Sequence, residues 1–167
     1  MHRVAARLML LVGVLLPACG SPSSDEPPAR PSAPPFDLVA FESVMAGPDA
    51  AARTAALDAL LEAPEPPAAT IPVLARALSD ENRWVRDRAT RALARFGPAA
   101  APALDALIAA LRDKDGFVRW RAAKALAGMG AVAAPALPEL ERMAAATDET
   151  ELGRHWSAVA VEKIRER

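Results

Sequence analysis

The chain has 167 residues, with 20 Lys and Arg against 21 Asp and Glu, a formal charge of −1 at pH 7, one Cys and two His. That balance argues against a nucleic-acid partner, which demands a concentrated basic face. A single cysteine excludes an intrachain disulfide and a thiolate metal cluster.

Taken in chain order, residues 1–18 read as a secretory signal. "MHRVAAR" carries Arg3 and Arg7 and no acid, and Leu8 to Leu16 form an apolar run of nine residues. As a helix that run reaches only about 14 Å, half of a membrane core of about 30 Å. It is therefore a signal and not a permanent span. Leu16-Pro17-Ala18-Cys19 resembles the bacterial lipobox, and the resemblance implies that Cys19 is acylated and becomes the mature N-terminus. The alternative is a cut elsewhere that leaves Cys19 as a bystander thiol. Acyl chains on one residue meet the requirement for more than one lipid signal. Gly20 stands where an inner-membrane retention signal places Asp, so similarity to enteric lipoproteins implies the outer rather than the inner membrane. The expected location is the bacterial cell envelope, lipid-anchored and facing the periplasm. Removing residues 1–18 takes away two arginines and no acid, which moves the charge from −1 to −3.

Residues 19–35 follow as a Pro- and Ser-rich tether. "GSPSSDEPPARPSAPP" has six prolines and no large apolar side chain. It cannot bury enough surface to offset ordering, and its prolines favour extended chain.

Residues 36–167 form the folded part, and they repeat. Laying 80–111 over 113–144 at an offset of 33 gives 15 identities in 32 positions. A fixed period of this length means stacked supersecondary units. Within a unit, Val85, Ala89, Ala92, Leu93 and Phe96 mark one face of a first helix. Asp80 or Asn82 caps its start, and Gly97 suits a left-handed position after its end. Leu104, Leu107, Ile108 and Leu111 mark a second helix, with Pro102 in its first turn. The period runs outward to Ile71, Leu74 and Leu78, and then to Leu38, Phe41 and Met45. Residues 36–46 therefore read as a lone second helix, and 49–62 as a weak first helix. At the far end, 148–167 align at an offset of 35, which puts Arg154 under Arg119. About eight helices result.

The pattern D-x-x-x-x-VR-x-x-A-x-x-AL-x-x-x-G at 80–97 and 113–130 resembles the short HEAT-like repeats of phycobilisome lyases. The T-P-L-H turn of ankyrin and the Trp/Gly/Tyr signature of tetratricopeptide repeats are missing. The resemblance implies an all-α fold, a right-handed α-solenoid of about four short HEAT-like helical hairpins whose second helices line a concave surface. It also implies a ladder of Asp and Arg along the stack, with Asp80/Arg86 and Asp113/Arg119 as rungs. The ladder is read as structural, with ligand binding as the alternative.

Chemistry is sparse. Deoxyhypusine hydroxylase, which resembles this chain in fold, holds two irons through paired His-Glu motifs. Here His2 leaves with the signal, and His155 is followed by Trp156. One imidazole cannot assemble that site. No nucleophile elbow, phosphate loop or paired Cys motif occurs either. The chain is accordingly read as no enzyme, with no cofactor and no metal. Trp120 lies about 200° round its helix from Val118, which makes it a candidate partner contact; the alternative is that it covers an inter-helix groove. Trp84 aligns with Phe117 and reads as packed, and Trp156 reads as core with Leu152 and Val159. Arg76 and Arg112 on the second helices are the other candidate contacts. The expected function is a membrane-tethered, non-catalytic scaffold for protein partners. The alternative is an enzyme or a lyase-type protein that binds a cofactor or chromophore.

Overall fold

The alternation of two amphipathic faces, neither able to hide its stripe alone, builds a two-row array of eight α-helices among the described residues. The structure, a computed structural model, describes residues 36–166. The expected lipobox with Cys19, the expected signal segment and the expected tether lie outside the described residues. The helices are α1 (Leu38–Ala46), α2 (Ala50–Glu62), α3 (Ile71–Ala77), α4 (Arg83–Phe96), α5 (Leu104–Ala110), α6 (Gly116–Met129), α7 (Leu137–Ala145) and α8 (Glu151–Arg165). The first helices α2, α4, α6 and α8 pack in sequence, each on the next. Helices α1, α3 and α5 follow one another in the second row, and α7 packs on α8. This is the all-α repeat solenoid that the period predicts.

The core consists of equivalent positions. Phe41, Leu74, Leu107 and Leu140 recur every 33 residues, as do Leu60, Leu93 and Leu126, and all of them are buried. Between them lie alanines such as Ala89, Ala92, Ala122 and Ala125, also buried. Small side chains let neighbouring helices approach closely, so each added methylene is felt.

Local chemistry sets the helix ends. Asp49, Asn82, Asp115 and Thr150 cap α2, α4, α6 and α8 through side-chain oxygens that accept from backbone N–H groups. The α4 cap is thus Asn82; Asp80 serves elsewhere. Gly97 has φ 52 and ψ −131, and Gly130 φ 60 and ψ −140. These are positive φ values but not the left-handed helical region expected for Gly97. A 3-10 segment, Gly97–Ala103, follows at once and contains Pro102, which precedes α5 instead of lying in its first turn. The segment Gly130–Ala136 repeats the arrangement with Pro135. A chain that must turn within one residue into a Pro-bearing 3-10 coil uses a conformation that glycine alone adopts at low cost.

Helix α8 departs from the expected face. Gly153, Ser157, Ala160 and Ile164 are buried, while Leu152 is 50% exposed and Trp156 and Val159 are half-buried. The register of α8 copies the buried positions of α6 (Val118, Ala122, Ala125, Met129) at an offset of 35. Gly153, Ser157 and Ala160 therefore face inward with Ile164, and Leu152 and Trp156 stay on the outer side.

Candidate functional site

The buried charges come first, because burial without pairing is costly. Arg53, Arg86, Asp87 and Glu139 are buried. Arg53 donates from Nε and Nη2 to the Asp80 carboxylate at 2.8 and 3.0 Å. Arg86 does the same to Asp113 at 2.7 and 3.0 Å, and Arg119 to Glu149 at 2.6 and 3.0 Å. The third nitrogen of each fork, Nη1, turns back to a carbonyl six residues upstream: Gly47, Asp80 and Asp113 respectively. The carboxylates are occupied twice over. Asp80 and Asp113 also accept the N–H of Asn82 and Asp115. The expected rungs Asp80/Arg86 and Asp113/Arg119 are therefore re-paired. Each arginine salt-bridges the acid of the following repeat, and for Arg86 and Arg119 the aspartate of their own repeat offers only a backbone oxygen. The reason is geometric: an aspartate in the inter-repeat loop aims its carboxylate at the helix behind it, and its carbonyl at the helix ahead. Bidentate Arg–carboxylate pairs fix orientation as well as contributing energy. The ladder is a set of inter-repeat clamps. Glu149 was not legible as a rung, because the longer loop before α8 places it 30 residues beyond Arg119 and not 27. Burial pushes the Glu149 carboxyl up, but bonds from Arg119 and Thr150 offset this and leave it lowered.

The second-row candidates divide. Arg112 donates to Glu139 at 2.6 Å, and Arg142 reaches the same carboxylate at 2.5 Å. The Arg112 bond, followed by that from Arg142, brings the Glu139 carboxyl down to about 2. Arg112 is therefore held by a structural node and is not offered freely to a partner. Arg76 is exposed and lines a small cleft with Glu42 and Asp80.

On the first row, Trp120 is half-buried and stacks on Trp156 with ring centroids 6.5 Å apart, so it does cover the groove between α6 and α8. Its buried indole Nε1 has no hydrogen-bond partner among the described residues. His155 lies edge-on to Trp156 and is exposed. Trp84, expected to be packed, is 50% exposed, and its equivalent Phe117 is 57% exposed. With Leu152 they make a row of protruding apolar side chains at one position of three successive first helices. The offsets of 33 and 35 contain this row, but large apolar side chains are more often packed, so hydrophobicity alone points them inward. Among the described residues no group of His, Cys, Asp or Glu stands together as a metal site, and no helix is long and apolar enough to cross a membrane.

Comparison with known proteins follows the same architecture. The model of HEAT repeats matches residues 39–104 and 88–162. No curated protein matches the chain in sequence. Among solved structures, one engineered protein is 23% identical with a TM-score of 0.60, covering 74% of this chain and 60% of its own. Another is 22% identical with a TM-score of 0.61, covering 75% and 62%. The complex of CpcE and CpcF of phycocyanin lyase from Nostoc is 24% identical with a TM-score of 0.57, covering 86% and 58%. The chain thus spans about three fifths of these structures, and at such identities the likeness shows the fold alone.

Proposed function

The chain belongs to the HEAT-repeat family, and from that premise we propose that it is a non-catalytic scaffold for protein partners, tethered to a bacterial envelope membrane through Cys19. One observation carries the scaffold reading: the buried ionisable groups are committed to one another. Arg53, Arg86 and Arg119 clamp successive repeats, and Glu139 is held by two arginines. Catalytic groups need a poised protonation state and an open coordination or bonding position. Groups saturated by bidentate bonds have neither. What the fold offers outward is an extended surface of exposed side chains, which suits macromolecular partners.

The tether reading rests on the sequence at Leu16–Cys19 and on the Pro-rich segment after it. Its test is direct. Cys19→Ala abolishes fatty-acid labelling and releases the protein from membranes; a variant that still labels and sediments overturns the anchor. The periplasm-facing, outer-membrane placement belongs to the same proposal and is checked by fractionation. The scaffold reading is tested by site-specific photocrosslinking in intact cells, which captures a protein partner. The rival reading, an enzyme or lyase-type chromophore protein, takes its support from the fold shared with the phycocyanin lyase chains. Stoichiometric pigment or metal in the purified protein would establish it.

A further inference from the structure

Charge is distributed unevenly over the array. The chain as a whole is −1, yet α4 and α6 carry eight Lys and Arg between them against one acid, Asp87. Arg86 and Arg119 are taken by the ladder. Asp87 is already ion-paired to Arg121, and Arg88 reaches Asp58 at 2.8 Å. Arg95 donates to backbone carbonyls at the end of α2, including Leu61 at 2.8 Å and Ala63 at 2.7 Å. Arg83 reaches Asp115 at 3.3 Å, which leaves Arg91 and Lys124, the latter lying 4.9 Å over the Trp156 ring. They are equivalent residues, 33 apart, both exposed, on opposite walls of a cleft of about 370 Å³ between α4 and α6. Among the described residues neither has a carboxylate within ion-pair distance, and no acid lines that cleft.

The same face carries the apolar row. Phe117 divides two further clefts, one of about 170 Å³ against Trp84 and one of about 590 Å³ against Leu152. The second cleft also contains Trp120, whose indole N–H has no partner. Packed neighbouring helices lie about 8–10 Å apart, and three residues of polyproline-like chain span about 9 Å and return the side chain to the same face. A peptide crossing the first helices therefore meets one cleft with every third side chain, while its intervening residues face the cationic row.

We propose that the free face of α4, α6 and α8 docks an extended acidic segment of a partner protein, with apolar side chains entering the clefts beside Phe117 and carboxylates meeting Arg91 and Lys124. This rests on the scaffold reading and names the partner's chemistry. The clefts beside Phe117 carry Asp87, Asp115 and Glu151 as well as cations, so charge complementarity selects an acidic occupant at the Arg91–Lys124 cleft, which no acid lines. The clefts select a peptide over an anionic bilayer, because a lipid surface presents no regularly spaced side chains to fill them. Aromatic side chains beside cations are the composition that dominates binding energy at such surfaces.

All three tryptophans, Trp84, Trp120 and Trp156, lie on this face and report on it directly. The full chain is titrated with an acetylated peptide repeating Leu-Glu-Glu, following tryptophan emission. Binding is expected to weaken with added salt and to drop by about tenfold or more in Arg91→Glu/Lys124→Glu, with circular dichroism unchanged. The milder Arg91→Gln/Lys124→Gln pair gives an intermediate loss and keeps the test open if the reversal perturbs folding. Equal binding of the charge-reversed protein, equal binding of a Leu-Lys-Lys peptide, or binding to phosphatidylglycerol vesicles without binding to the peptide overturns the proposal. Photocrosslinkers in cells separate the two levels. Capture of a partner at Asp105, on the second row, with none at Phe117 refutes this face and leaves the scaffold standing. Capture at neither position refutes the scaffold itself.

Discussion

Replacing Arg86 by Met keeps most of its aliphatic volume and removes the fork that joins two repeats. Arg86 is 4% exposed and the Asp113 side chain 9%. The variant strands a buried carboxylate that keeps only one backbone donor, the N–H of Asp115. It also leaves the Asp80 and Glu81 carbonyls without their donor. Removing one partner of a buried pair costs about 3–5 kcal/mol. Because Asp113 retains the Asp115 bond, the lower half of that range is expected, about 3–4 kcal/mol. For a folded body of roughly 130 residues the entropy of unfolding is about 0.27 kcal/mol/K, so the melting temperature falls by about 11–15 °C. The double variant Arg86→Met/Asp113→Leu removes the stranded charge, and about half or more of the loss returns. Arg86→Lys keeps the charge but loses the two-pronged geometry, and falls in between. Thermal unfolding followed by circular dichroism measures all four proteins. A single variant that melts within about 3 °C of the parent, a loss under about 1 kcal/mol, shows that the clamp does not couple the repeats and refutes the reasoning.

Glu139 gives a pH signature. Folding lowers its carboxyl from 4.5 to about 2, so its contribution is complete above about pH 4.5 and disappears as the pH falls towards 2. The full linkage is about 3 kcal/mol, and with Arg112 and Arg142 more than half exposed screening reduces it to about 1–2 kcal/mol. Urea unfolding is expected to show Glu139→Gln less stable than the parent at neutral pH, with the gap closing in acid; a constant gap contradicts the assignment. Gly130→Ala isolates backbone strain, since an added Cβ meets nothing within 4 Å while φ is 60. It is expected to cost about 1–3 kcal/mol in chemical denaturation, and a neutral result means the turn relaxes freely. Leu93→Asp or Leu126→Asp places an unpaired charge at a fully buried core position and is expected to unfold the neighbouring repeats; retained helicity and melting temperature refute the register.

The parts of the fold that depend on periodicity were readable in the chain, and those that depend on geometry between repeats were not. An offset of 33 locates Leu93 and Leu126 in the core, and also the lone second helix through Phe41, because a helix stripe recurs wherever the same face must be hidden. The direction of the ladder could not be read the same way. Asp80 and Arg86 lie near each other in sequence, and spacing alone suits pairing within a unit as well as between units. Only the loop's orientation sends the carboxylate to Arg53. Trp84 and Leu152 were misplaced for a related reason. Hydrophobicity signals burial where a neighbour exists to supply it, and at these positions the array leaves the face uncovered.

That contrast bears on function. Stacked repeats repeat their surface as well as their core, so any exposed position becomes a row. In the clamps the row is spent internally, with each arginine matched by the next repeat's acid. On the outer face the equivalents of Trp84 and Arg91 recur in the middle repeats and then change: Ala51 and Asp58 occupy the places in α2, and Leu152 and Val159 those in α8. Structural demand does not require this. The second-row core positions Phe41, Leu74, Leu107 and Leu140 hold their character from end to end, and Asp58 is an acid that pairs with Arg88. An aromatic side chain paired with a cation at these two positions only in α4 and α6 makes a patch with edges, and a patch with edges is what one short acidic segment needs.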